Sequence, residues 1–297
     1  MRLREQLREG MQFLASRRVP AVEASAELLL MHITGMSRGD LYSHGEDELD
    51  SEAIENYQRL LEARAGGTPV QYLTGRQEFW GLEFEVTPEV LIPRPETELL
   101  VETALELLDA APGDNRKSRG GAGRERAWRI ADVGTGSGCI ILSLASELPQ
   151  AHLMATDISA AAIQVARRNA SRLGFEARVS FFAGDLLGPL TGGGDTALDM
   201  IVSNPPYVSR QELENAEPQV RDFEPRLALG GEEDPVAIYE RLFQQAWRVL
   251  KPGGWVLVEI GYGRREQVTQ MLTHGWQQVE VRPDLAGIPR VVVARRP

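Results

Sequence analysis

The sequence predicts an α/β chain built on a seven-stranded, mainly parallel sheet that ends in an antiparallel hairpin, preceded by a small helical domain and a linking β-hairpin. Three observations predict it. From Trp128 onward, short apolar runs alternate with helical patterns, as they do when helices cover both faces of a parallel sheet. The last two apolar runs are joined only by Pro283 to Pro289, too short for a parallel crossover, so they pair antiparallel. The first 65 residues instead carry helical periodicity throughout.

Taken in chain order, Leu3, Leu7, Met11 and Leu14 make one apolar stripe. A second helical stretch runs from Ala24 to Ile33, with Gly35 and Gly39 as stop signals, and a third from Ser51 to Ala65 before Gly66-Gly67. Phe79, Leu82, Phe84, Val86 and Val90 alternate loosely with Glu83 and Glu85 around Gly81, which predicts a short β-hairpin. Pro93 and Pro95 interrupt, and a helix with an acidic first turn follows over Glu96 to Leu108. Residues 111–126 have the composition of a solvated surface loop. Strands are predicted at 128–133, 152–156, 179–183, 198–203, 254–260, 277–282 and 290–295, and helices at 138–147, 159–173, 235–250 and 263–274. The domain organisation expected is 1–75 helical, 76–92 a linking hairpin and 93–297 the α/β domain.

Composition narrows the function. The chain is 42% hydrophobic and 25% charged, typical of a globular protein, and no apolar run approaches the length of a membrane span. Arg2, Arg4, Glu5, Arg8 and Glu9 open the chain with no apolar signal core behind them, and Cys139 is a lone cysteine. A cytoplasmic protein is expected, with no membrane association. One cysteine and four scattered histidines predict no metal site. The net charge of −11 argues against a broad phosphate-binding face, so no direct nucleic-acid binding is expected.

The chemistry concentrates at the predicted strand ends. Gly134-Thr135-Gly136-Ser137-Gly138 joins the first sheet strand to its helix, where ligands of open α/β sheets bind. Its G-x-G-x-G spacing is shorter than the dinucleotide fingerprint and lacks the Lys-Ser/Thr ending of a P-loop. Asp157 ends the second strand, 23 residues after Gly134, and can accept both hydroxyls of a ribose. Asp185 ends the third and could accept from an adenine amino group, with Leu186 packing on the ring. Each feature alone has a plain structural explanation, but three in register at consecutive strand ends point to an adenosine-bearing cofactor. The short glycine spacing and the terminal hairpin favour S-adenosylmethionine over NAD.

Asn204-Pro205-Pro206-Tyr207 follows the fourth strand, beside the glycine loop. The prolines fix φ and restrict Asn204, which makes a stiff turn whose acceptors can face a ligand. The lone pair of an amide or exocyclic amine nitrogen is delocalised. The Asn204 side-chain oxygen and the Pro205 carbonyl can each accept one of its N–H bonds and turn that lone pair toward a methyl donor. Pro206 stiffens the turn and Tyr207 can stack on a planar substrate group. Residues 208–234 have little periodicity and contain Pro218 and Pro225, so a substrate lid is expected there, with Arg221, Glu224 and Arg226 as its contact residues.

With these motifs in place, the chain resembles the peptide chain release factor glutamine N5-methyltransferases (PrmC/HemK). The resemblance runs nearly end to end. It is carried by Tyr72-Leu73-Thr74-Gly75, Glu78-Phe79-Trp80, Leu91 to Glu98, Asp132 to Gly138, Asn204 to Tyr207, and Phe223-Glu224-Pro225 with Ala228-Leu229. It implies a class I S-adenosylmethionine-dependent, Rossmann-like methyltransferase domain. The substrate it implies is the glutamine of the Gly-Gly-Gln loop in class 1 release factors, docked with help from the N-terminal helices. It places Arg94, Glu96 and Thr97 near the cofactor. Leu186 is a departure, since some relatives carry an aromatic residue there, and the 111–126 insertion is longer than usual. Two other activities use related turns: glutamine methylation of a ribosomal protein, and amino methylation of DNA or RNA. A DNA enzyme would normally add a basic target-recognition region.

Overall fold

The computed structural model describes residues 2–110, 126–191, 197–230 and 234–297. All of the 111–126 segment except Arg126 lies outside the described residues. The chain forms two units, one of residues 1–76 with 217–223 and one of 77–216 with 224–297.

The smaller unit is helical. Leu3–Ser16, Val22–Thr34 and Ser51–Ala65 are the three helices expected from the apolar stripes. Their inward faces meet in one cluster around Leu3, Leu7, Leu14, Leu29, Leu30, Tyr57 and Leu61. Tyr57 is fully buried and donates its hydroxyl to the Ala26 carbonyl (3.1 Å). Gly10 is required opposite it, because a Cβ there would lie 2.3 Å from the Tyr57 hydroxyl oxygen. Two short helices, Arg38–Ser43 and Val70–Thr74, complete the domain. Gly39, read as a stop signal, instead lies inside the first of them. The Ser37 side chain and Asp40 cap that helix reciprocally, which sets its start more strongly than one glycine opposes it. Helix Pro218–Phe223 also belongs to this unit, with the Phe223 ring 3.0 Å from where a Gly67 Cβ would be.

The larger unit holds two sheets. Strands β1 (Arg76–Phe79, whose first residue lies in the smaller unit) and β2 (Leu82–Glu85) form the expected hairpin. Trp80 and Gly81 at its tip both have positive φ, the geometry of a two-residue hairpin turn. Phe79 and Phe84 enter the main core edge to face. The main sheet comprises β3 (Arg129–Val133), β4 (His152–Asp157), β5 (Val179–Ala183), β6 (Leu198–Ser203), β7 (Leu250–Glu259), β8 (Gln277–Pro283) and β9 (Pro289–Arg295). Their order is β5-β4-β3-β6-β7-β9-β8. The first five are parallel, and β9 runs antiparallel between β7 and β8.

Both faces of the central strands are covered, which explains their unbroken apolar runs. One face packs on helices Glu98–Asp109, Cys139–Glu147 and Ala160–Arg172 through Leu100, Ile141, Ala166 and Met200. The other packs on Pro235–Val249 through Tyr239, Leu242 and Ala246. Strand order reverses at β3 and β6, so a crevice opens beyond their carboxyl ends.

The segment after β6 corrects the expectation of an irregular loop. It contains short helices at Arg210–Glu214, Pro218–Phe223 and Arg226–Leu229. Helices of four to six residues are too short to print a period on the sequence, and Ser209 starts the first through a capping box with Glu212. The segment returns to its origin at a backbone bridge between Val208 and Gly230. Among the described residues, no helix is long and apolar enough to cross a membrane.

Candidate active site

A cavity of about 480 Å³ lies at the reversal of strand order. That is the size of a small-ligand site. It is lined by Val133 to Ser137, Asp157 to Ser159, Asp185-Leu186, Asn204 and Pro206, with Arg94 and Thr97 from one side and Pro225 to Ala228 from another. The structure thus brings Gly134 to Ser137, Asp157, Asp185, Leu186, Asn204, Pro206, Arg94, Thr97 and Arg226 together at one cavity, and Glu96, Arg221 and Glu224 are not among its lining residues. Gly138 caps the helix behind it, and Pro205 and Tyr207 lie off its wall.

The glycine loop owes its shape to conformations that side chains rarely adopt. Gly134, Gly136 and Gly138 all have positive φ. A Cβ on Gly138 would also press on Ala166 and Leu142 at 3.3 and 3.1 Å. Gly134 and Thr135 donate their N–H groups to the Thr156 carbonyl, which ties the loop to β4. Asn169, fully buried, fastens it from behind. Its Nδ2 donates to the Ser137 and Glu85 carbonyls (both 2.9 Å), and its Oδ1 accepts from the Glu85 N–H (2.7 Å). The β1–β2 hairpin and the loop are therefore held by one side chain. Periodicity did not single out Asn169, because a buried polar residue inside a helix carries no local signal.

Asp157 accepts from Gly136 N–H (2.9 Å) and Ser159 N–H (2.8 Å), one bond on each carboxylate oxygen. Each oxygen keeps a further lone pair, enough for a diol. Burial raises its pKa and the two backbone bonds oppose that. Asp185 lines the cavity but pairs with Arg241 (2.6 Å), a lining residue the sequence did not single out. Leu186 holds a left-handed backbone at φ 47° and packs against the second core cluster. Ile158 and Leu227, both more than half exposed, add apolar wall. Asp132, at the end of β3 and fully buried, accepts from the Thr135 hydroxyl (2.6 Å), and burial pushes its pKa up to about 7.

Asn204 sits at the carboxyl end of β6, held there by Ser203, whose hydroxyl donates to the Val133 carbonyl (2.7 Å). Its Nδ2 donates to Thr97 Oγ1 (3.1 Å), and Thr97 Oγ1 donates to Glu259 Oε2 (2.7 Å). Tyr207 turns away from the cavity and approaches the other Glu259 oxygen at 3.4 Å. Its ring lies over Gly261, where a Cβ would meet it at 2.7 Å. Burial, with Glu259 nearby, holds the phenol well above its usual pKa. Glu259 is 1% exposed, and burial pushes its carboxyl up to about 7. It was missed in the sequence, although a carboxylate ending an apolar strand is the same signal that found Asp157.

Arg94 pairs with Glu224, whose side chain is 2% exposed and was expected as a contact residue of the lid. Arg226 lines the cavity, whereas Arg221 is satisfied by its neighbour Asp222 (2.7 Å).

These residues fit an adenosine cofactor with a polar tail. Asp157 has lone pairs free beside an apolar wall, and Ser137 Oγ is buried at the cavity without a hydrogen-bond partner. Parallel sheet, terminal antiparallel hairpin, glycine loop and strand-end acids together define the methyltransferase class.

Comparison with known proteins makes this specific. Residues 5–75 match the family described as the PrmC N-terminal domain, and residues 123–232 match the methyltransferase small domain. The release factor glutamine methyltransferase of Koribacter versatilis is 44% identical over 297 residues, covering 100% of this chain and 99% of that one. The proteins of the same name from Moorella thermoacetica and Geobacter sulfurreducens are 41% and 40% identical, over 100% and 95% of this chain and 99% and 93% of theirs. The chain belongs to the release factor glutamine methyltransferase family. Among solved structures, the hMettl16 catalytic domain has a TM-score of 0.55 at 17% identity, covering 76% of this chain and 79% of that one. A methyltransferase from Pyrococcus furiosus has 0.50 at 16%, covering 73% and 89%. At such identities they support the fold alone.

Proposed function

We propose that this chain methylates the side-chain amide nitrogen of the glutamine in the Gly-Gly-Gln loop of class 1 release factors, in the cytoplasm and with S-adenosylmethionine as donor. The observation that carries this reading is Asn204 at a cavity wall formed by the glycine loop, with its NH₂ end already engaged by Thr97. Gly134, Thr135, Gly136, Ser137, Asp157, Asp185 and Leu186 would hold the cofactor, with Arg94 and Thr97 beside it. When bound, the cofactor supplies an electrophilic methyl group. Asn204 Oδ1 and the Pro205 carbonyl accept the two N–H bonds of the substrate amide. That fixes the plane of the amide and presents its nitrogen at a defined angle. The nitrogen becomes more acidic as it is alkylated, so acceptors already in place stabilise the developing charge without rearranging.

The full-length matches to relatives named for release factor glutamine methylation favour this substrate over a ribosomal protein or a nucleic-acid base. The test is transfer of labelled methyl from S-adenosylmethionine to a class 1 release factor. Label should appear on the wild-type factor and be lost when the Gly-Gly-Gln glutamine is changed to alanine. Label on DNA, RNA or a ribosomal protein but not on the factor would reject the reading.

A further inference from the structure

We infer that Glu259 and Thr97 are positioning residues for methyl transfer, fixing which end of the Asn204 carboxamide faces the substrate. The inference rests on the reading of Asn204 as an acceptor for the substrate amide. A carboxamide has two ends of nearly equal shape and opposite polarity, and only its oxygen can accept an N–H bond. An Asn204 turned by half a rotation would confront the substrate with donors against donors. Something in the fold must therefore choose the orientation.

Thr97 Oγ1 is that chooser. The hydroxyl carries one proton and lies 2.7 Å from Glu259 Oε2. An ionised carboxylate only accepts, so the hydroxyl donates to it and is left as an acceptor on its other side. Asn204 Nδ2 occupies that side at 3.1 Å, which leaves Oδ1 as the free end. The chain of donation runs one way, from Asn204 through Thr97 to Glu259. Thr97 is 3% and Glu259 1% exposed, so water does not substitute for either bond. The three residues come from the turn before helix Glu98–Asp109 and from the ends of β6 and β7.

The protonation state of Glu259 sets the direction. Once protonated it can donate to Thr97, whose own proton is then free to seek Asn204 Oδ1, the reverse orientation. The groups that face Glu259 are Thr97 and Glu96 on that turn, Tyr207 after β6, Arg290 on β9, Cys139 at the start of its helix, and Tyr239, whose hydroxyl donates to the Glu259 carbonyl (2.9 Å). Burial and Glu96 favour the protonated form, whereas Thr97, Arg290 and Tyr207 favour the ionised one. The balance places the carboxyl at about 7, so turnover should fall as pH drops through neutrality.

The experiment compares wild type with Thr97→Val, Thr97→Ser and Glu259→Gln, using the full chain, S-adenosylmethionine and a class 1 release factor. Thr97→Val should lower kcat about 10–100-fold, with cofactor Kd moved less than about threefold, and Thr97→Ser should recover most of the loss. Glu259→Gln should lower kcat and abolish the acid limb of its pH profile. The Asn204 side-chain NH₂ signals, assigned by their loss in Asn204→Asp, should shift with pH in wild type and not in Glu259→Gln. A Thr97→Val enzyme with wild-type kcat, or NH₂ signals that do not respond to Glu259, would overturn the inference. If the wild-type chain fails to methylate the factor, the proposed function fails instead, and the NMR arm still decides the inference.

Discussion

At the scale of the residue, the proposed reaction gives Asn204 and Asp157 different work. Asn204 gives its NH₂ end to Thr97, which leaves its oxygen as the proposed acceptor for the substrate amide. Replacing it with alanine should therefore cut kcat by about 100-fold or more while cofactor Kd stays within about threefold, as isothermal titration would check. Equal losses of both would move Asn204 into the cofactor pocket. Asp157 should show the opposite split. Its carboxylate organises the Gly136 and Ser159 N–H groups and retains lone pairs for a diol. Asp157→Ala should weaken cofactor binding by roughly 10–100-fold, in line with about 1.5–3 kcal/mol for a charged hydrogen bond. Their places at the cavity were legible in the sequence because both residues stand at the end of an apolar strand in a parallel sheet, and such strand ends converge on one crevice. Glu259 closes a strand too. The link from Thr97 to Glu259 was not legible, because it joins positions 162 residues apart through a hydroxyl with no local signature.

At the scale of the element, the glycine loop is held from behind by Asn169, which also grips the backbone of β2. Asn169→Ala would leave two carbonyls and one N–H without their partner, the Ser137 carbonyl in a buried place, at about 2–4 kcal/mol of stability. Denaturant unfolding should read that loss, and cofactor affinity should fall with it as the loop loosens. Unchanged affinity would show that the loop holds its shape alone. The segment after β6 closes on itself through Gly230, whose φ is +113° and whose Cβ would lie 2.5 Å from the Val208 carbonyl oxygen. Gly230→Ala should open that bridge and speed amide hydrogen exchange across 208–230, with β3 and β6 unaffected. The long elements here were readable from periodicity alone. The helices of 208–230 were not, because each is fixed by a cap or a proline rather than by a repeating apolar face.

At the scale of the whole molecule, two buried carboxyls make stability depend on pH. Asp132 and Glu259 both rise to about 7 in the folded protein, well above their values in an unfolded chain. A carboxyl raised by folding favours the folded state most when protonated. Its contribution is therefore present below about pH 4 and is lost as pH climbs through about 7. Between about pH 5 and pH 8 the wild-type Tm should fall, and Glu259→Gln, which cannot ionise, should fall less steeply. Parallel slopes for the two proteins would mean that Glu259 is already ionised at the lower pH. The opposite trends of stability and turnover across this window have one source, since the ionised carboxylate that orients Asn204 is also the buried charge that folding must accommodate. The architecture around it, with parallel strands, a reversed order at β3 and β6 and an antiparallel β9 inserted beside β7, was readable from element alternation and one short link. The insertion of β9 between β7 and β8 was not, because sequence order says nothing of which hairpin strand lies inward.

If Asn204 holds a glutamine amide of a release factor for methylation, its removal should abolish modification of that one residue. A class 1 release factor is incubated with S-adenosylmethionine and either the wild-type chain or Asn204→Ala, then digested and sequenced by tandem mass spectrometry. One added methyl is expected on the Gly-Gly-Gln glutamine with wild type and almost none with Asn204→Ala. A methyl on any other residue, or equal methylation by the two proteins, would contradict it.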